Sequence, residues 1–162
     1  MENQSSQSIK NIEKSLQKIK VQSVAPVELW NPRFCGDLNM RIIKDGSWLY
    51  EGSKINRTNL VKLFSSILKK ENNNYFLVTP TEKVGIKVDF APFVVNSMDL
   101  LNNGRTQIIS FTTNVGDKFD LNYEHLLRVD YNPETNEPHP YVIVRHDLEA
   151  LIDRKNFYRI VE

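Results

Sequence analysis

From Leu60 to Leu68, six apolar residues (Leu60, Val61, Leu63, Phe64, Ile67 and Leu68) fall at offsets 0, 1, 3, 4, 7 and 8, opposite Lys62, Ser65 and Lys69. That spacing places them on one broad helical face, which must be buried against something. It predicts a core helix from Arg57 to Lys70, capped by Asn56 or Thr58 and ended by Asn72 to Asn74. Elsewhere the period shortens to two. Val84, Ile86, Val88 and Phe90 alternate with Gly85, Lys87 and Asp89, the pattern of a half-buried strand. A helix this apolar among alternating segments needs a sheet to lie on, so the expected fold class is α+β.

Further strands are expected at Met40 to Lys44 and Ser47 to Glu51, joined by the turn residues Asp45 and Gly46. Tyr75 to Val78 is apolar on both faces and reads as a central strand. Phe93 to Leu100 and Gln107 to Thr113 form a hairpin around Asn102, Asn103 and Gly104, and a short strand follows near Phe119. His125 to Tyr131 pairs with Tyr141 to Arg145. A short helix from His146 to Asp153 and a last strand from Phe157 to Val161 close the chain. Near the N-terminus, Ile9, Ile12, Leu16 and Ile19 form a thin helical stripe among lysines, with no aromatic anchor for a membrane.

Two stretches repeat an order of strand, strand, helix, strand. Met40-Arg41-Ile42 leads to Arg57 and a helix with Leu60, Leu63 and Phe64. Leu127-Arg128-Val129 leads to Arg145 and a helix with Leu148, Leu151 and Ile152. Self-similarity of this kind points to a duplicated unit. The expected organisation is an N-terminal helix and lead-in over residues 1–23, a first lobe over 24–92 and a second over 93–162. Aligning the helices also aligns Arg57 with Arg145. Both would precede a helix N-terminus, where unpaired N–H groups and a guanidinium favour a phosphate or carboxylate, and a crevice between lobes would hold the ligand.

Twenty-one Lys and Arg against 20 Asp and Glu leave a net charge of +1, which argues against a chain whose main task is gripping nucleic acid. Cys35, the one cysteine, cannot form an internal disulfide. No apolar run is long enough to span a bilayer, and the N-terminal residues lack a secretory signal, so a cytoplasmic location is expected. There is no Gly-rich phosphate loop, nucleophile elbow or zinc-protease motif. His125, His139 and His146 with Asp147 and Glu149 are the conceivable metal ligands, but His146, Asp147 and Glu149, at the start of the expected short helix, are not spaced to share one face. No catalytic residue, metal or cofactor is therefore expected, and the chain reads as a binding protein more than as an enzyme.

Many short segments in order resemble the bacterial domain-of-unknown-function family 1285. They include Leu29-Trp30-Asn31-Pro32, Cys35-Gly36-Asp37, Leu77-Val78-Thr79-Pro80 with Glu82-Lys83, Ala91-Pro92-Phe93 and Thr113-Asn114-Val115-Gly116-Asp117. Tyr141 to Arg145 and Leu148-Glu149-Ala150-Leu151 with Arg154 complete the pattern. The resemblance implies two related α+β lobes, the second loosely pleckstrin-homology-like. It also implies a ligand site between them for a nucleotide-type molecule, with a part in signal transduction. Arg57 and Arg145 would meet the ligand's charge, and Trp30, Asn31, Thr79, Glu82, Lys83, Thr113, Asn114 and Asp117 would form its rim. A protein–protein adaptor without a small ligand is the alternative. A hydrolase or transferase using Glu82 or Asp117 as base comes last. The oligomeric state is not legible from the sequence.

Overall fold

A computed structural model describes residues 10, 12 and 25–161. The N-terminal helix expected over residues 1–20 lies outside the described residues except for Lys10 and Ile12, both helical, with Ile12 buried. The chain divides into two compact units, one of residues 1–42 and 47–88, the other of residues 43–46 and 89–162.

In the first unit a short 3-10 turn (Val27–Leu29) precedes β1 (Phe34–Ile42), β2 (Trp48–Tyr50), β3 (Ser53–Lys54), helix α1 (Thr58–Ser66), β4 (Leu68–Glu71), β5 (Asn74–Val78) and β6 (Lys83–Val88). The strands form one six-stranded sheet in the order β3-β2-β1-β6-β5-β4. Every neighbouring pair is antiparallel except β1 and β6, which run parallel. The period-two pattern does its work here. Leu38, Met40 and Ile42 of β1 are buried while Asn39 and Arg41 between them are exposed. Helix α1 lies on this core through Phe64, whose ring stacks on that of Trp48 at 6.1 Å.

The second unit contains β7 (Phe93–Asn103), β8 (Thr106–Thr113), β9 (Lys118–Asp120), β10 (Leu127–Tyr131), β11 (Pro138–Arg145), β12 (Leu148–Leu151) and helix α2 (Arg154–Val161). Its sheet is also six-stranded, in the order β10-β11-β12-β7-β8-β9, and β12 and β7 are its parallel pair. Phe93, Phe111, Val142, Leu148, Ala150 and Ile152 lie in its core. The unit has the half-barrel curl of pleckstrin-homology-like folds.

Both units therefore follow one plan: two three-stranded meanders, joined by parallel pairing of the first strand with the last. The fold is α+β with two related lobes, and the duplication is real. Its register differs from the one the sequence suggests. β1 to β6 correspond to β7 to β12, so Arg57 follows a third strand while Arg145 closes a fifth. The helices also differ in place: α1 lies between the meanders of its unit, and α2 follows the last strand of the other.

Three elements depart from expectation. Helix α1 stops at Ser66, and Leu68–Glu71 pairs with Asn74–Leu77 as an edge strand. The two residues between them, Asn72 and Asn73, adopt φ of 49° and 68°, the type I′ geometry that suits the twist of a hairpin. Leu148–Leu151, made of good helix formers, is a strand because Tyr141 to Arg145 on one side and Phe93 to Val94 on the other supply hydrogen-bonding partners. The terminal Phe157 to Val161 is helical, capped by Asp153, whose Oδ1 accepts the Asn156 N–H at 3.2 Å.

One turn is held especially closely. The Gly46 N–H donates to the Ile43 carbonyl at 2.9 Å, and Gly46 itself sits at φ +88°. A Cβ there would meet Asn114 Nδ2 at 2.7 Å and Val94 Cγ2 at 2.9 Å. We expect Gly46→Ala to destabilise the protein by about 2 kcal/mol in urea unfolding, from left-handed strain and crowding together. Asn73→Gly, by contrast, should raise stability by roughly 0.5 kcal/mol, since glycine meets a positive φ without steric cost.

Candidate functional site

Of the residues expected to bind ligand, Trp30, Asn31, Arg57, Thr79, Glu82 and Lys83 belong to the first unit, and Thr113, Asn114, Asp117 and Arg145 to the second. Several are engaged in building the fold. Thr79 and Thr113 are each 1% exposed and anchor turns in the same manner. The Thr79 Oγ1 accepts the Glu82 N–H at 3.0 Å, and the Thr113 Oγ1 accepts the Asp117 N–H at 3.1 Å. Asn114 is a clamp: its Oδ1 accepts the Val94 N–H at 3.1 Å and its Nδ2 donates to the Gly46 carbonyl at 3.3 Å.

Arg145 and Asp117 are brought together, but as partners. Arg145 Nη1 donates to Asp117 Oδ2 at 2.7 Å, and the guanidinium lies over the Phe93 ring at 4.9 Å. The carboxylate is thus engaged by a cation of its own unit. Nor does Arg145 precede a helix. It ends β11 and is followed by a turn through His146, at φ +50°, into β12. Arg57 does precede α1, as its exposed N-cap residue, with no side-chain capping bond.

Lys83, at the start of the interior strand β6, closes a charge network with residues of the edge strand β4. Its Nζ lies 2.9 Å from Glu71, which also receives Lys69 at 3.3 Å, and Lys69 donates to the Trp30 carbonyl at 3.0 Å. The hydrogen bond from Lys83 is the main cause that holds the Glu71 carboxyl below its ordinary range. In the second unit Arg128 is committed likewise, bonded to Glu149 at 3.0 Å and to Asp130, and lying over the Tyr141 ring at 4.5 Å.

Each unit has a cleft among its described residues. In the second unit a cleft of ≈ 330 Å³ lies among Lys44, Val94, Glu137, His139, Leu151 and Arg154, with Asp45 and Asp153 also in its wall. The His139 ring is backed by Phe90 at 5.3 Å, and Lys44 Nζ sits 5.1 Å over that phenyl. In the first unit a cleft of ≈ 290 Å³ is lined by Phe34, Asp37, Tyr75, Phe76, Lys83 and Gly85 among others. Lys83 alone among the sequence candidates lines either one. Lys44, His139 and Arg154 were not among the expected ligand-binding residues; they come from a turn, the Pro-rich start of β11 and a helix start. The Asp45-Gly46 turn and the Asn132 to Pro140 loop were the available signals. Among the described residues there is no group of three His, Cys, Asp or Glu that could hold a metal, and no helix long and apolar enough to cross a membrane.

Family models match the whole described body. Residues 25–91 match the N-terminal domain of the domain of unknown function DUF1285, and residues 92–162 match the C-terminal domain of that protein of unknown function. A DUF1285 family protein from Silicibacter pomeroyi DSS-3, known from its crystal structure, is 52% identical, with a TM-score of 0.83 over 92% of this chain and 81% of that one. Another, from Shewanella baltica OS155, is 24% identical, with a TM-score of 0.58 over 76% of this chain and 91% of that one, and shares the fold. No curated protein matches. Matched by both halves of the family and by a solved member at this identity, the chain belongs to the DUF1285 family and carries its N-terminal and C-terminal domains together.

Proposed function

We propose that this chain is a regulatory protein that binds a small nucleotide-type ligand in the cleft of its second unit and acts by binding rather than by catalysis. The observation that carries this reading is the cleft of ≈ 330 Å³ with Lys44, Arg154, Glu137 and His139 in its wall. Such a volume is at the small end of ligand sites, enough for a mononucleotide and too little for a dinucleotide. Of the three carboxylates, Asp153 caps α2 and Asp45 has an interaction of its own, which leaves Glu137 against the cations Lys44 and Arg154. Lys44 and Arg154 would take the phosphate, Glu137 would accept an exocyclic amino group, and the His139 ring would stack on the base. A ligand held this way in the cytoplasm would serve a signalling role.

A protein–protein adaptor is the second reading. Tyr123 is 84% exposed, and Leu126 and Tyr131 beyond it are exposed as well, a run of apolar side chains that a partner could cover. In that case Tyr123→Ser would abolish partner capture, and nucleotides would leave the protein's stability unchanged.

A thermal-shift series with mononucleotides and cyclic nucleotides tests the first reading. At 100 times its dissociation constant a ligand should add about 2.7 kcal/mol to stability, and Lys44→Ala with Arg154→Ala should remove that gain while Lys118→Ala keeps it. A blank series at millimolar nucleotide, or a shift that survives the double variant, would sink it.

A further inference from the structure

The sheet of the first unit carries an unusual gap. Asp37 of β1 pairs with Gly85 of β6, and Gly85 pairs with Phe76 of β5, so the three form one row across the sheet. Lys83, two residues from Gly85 and on the same face, pairs with Phe34 in another row. Glycine inside a strand weakens it and often marks a close approach of other atoms. Here the approaching atom is a carboxylate oxygen: a Cβ on Gly85 would lie 2.1 Å from Asp37 Oδ1. The Asp37 carboxylate therefore lies down on the sheet, over the glycine backbone, although its residue is exposed and could reach into water. Among the described residues it makes no hydrogen bond or ion pair that would account for this position.

What surrounds the carboxylate is aromatic and cationic. The Phe34 and Phe76 rings meet edge to face at 6.0 Å and 82°, and Lys83 Nζ lies 4.8 Å over the Phe76 ring. Lys83 gives one of its three N–H donors to Glu71 and keeps the others for another acceptor. The cleft is ≈ 290 Å³. Residues two apart on a strand are separated by about 7 Å, so the Asp37 carboxylate over Gly85 and the Lys83 side chain present opposite charges on one face of the sheet, a short distance apart.

We propose that this cleft binds a small zwitterion of the betaine or amino-acid kind. Its cationic nitrogen lies against Asp37 and the Phe34 ring, and its carboxylate accepts from Lys83. An ammonium is recognised by a carboxylate and an aromatic ring together; a lone anion leaves Asp37 unmatched, and a lone cation leaves the N–H donors of Lys83 that Glu71 does not take unused. The cleft lies wholly in the first unit, so this site stands independently of the nucleotide reading.

Titration of the full chain with glycine betaine, choline and propionate, followed by calorimetry and NMR shifts, tests the proposal. Betaine should bind about tenfold or more tighter than either half-ligand. Asp37→Asn should weaken betaine and choline by about tenfold and leave propionate unchanged, whereas Lys83→Met should weaken betaine and propionate. The proposal is overturned if betaine shows no binding at about 10 mM, if choline or propionate binds as tightly, or if Asp37→Asn binds betaine undiminished while keeping a native circular dichroism spectrum.

Discussion

The parallel pairing of a first strand with a last one is the contact on which each unit depends. Without β1 beside β6, the first unit is two separate antiparallel meanders, each of only three strands and so at the lower limit of independent stability. The same holds for β7 beside β12. A parallel pair cannot be closed by a hairpin, so in the first unit the whole chain from β2 to β5, with helix α1, serves as the connection between the paired strands. In the first unit helix α1 helps to make that closure favourable, because Phe64 seals the core over Trp48.

The clefts follow from this seam. Where two strands meet without a turn between them, no hairpin loop fills the space at their ends. The seam of the first unit is also irregular: the register slips between Phe34 and Asp37 and again before Arg41, and Gly36 takes φ +106° at the first slip. Asp37, Gly85 and Lys83 lie along it. In the second unit Val94 of β7 and Leu151 of β12 are register partners and form part of the cleft lined by Lys44 and Arg154.

Local chemistry was readable where periodicity and turn residues agree. The alternation from Val84 to Val88, the hairpin of β7 with β8 and the pairing of β10 with β11 all follow from it. Helix α1 was legible from its apolar face, but its end was not. Leu68 to Glu71 continue the helical spacing, and the contest is decided by Asn72 and Asn73, whose positive φ angles close a hairpin instead. Leu148 to Leu151 was unreadable for a different reason: its strand state comes from two partners distant in sequence, which no local pattern encodes. Among the candidate site residues, Arg145 carried the same difficulty. A guanidinium reads as a free cation in a sequence, and only the fold brings Asp117 to within 2.7 Å of it.

The duplication explains why side chains matched between the halves, such as Arg57 and Arg145, do not occupy equivalent places in the two units. What the two units share is a strand order and one parallel seam, a requirement of chain closure that many side chains can satisfy. The groups that the seams display differ: Asp37, Lys83 and phenyl rings in the first, and Lys44, His139 and Arg154 beside the second. A residue pair such as Arg57 and Arg145, chosen because each precedes an element of similar pattern, would mark a common site only if the copies had kept their chemistry along with their topology. Arg57 stands at the start of a helix that sits between meanders, and Arg145 ends a strand within one. The constraint common to both units is thus mechanical, and chemistry has been free to diverge on it. Each cleft has to be read from its own charges.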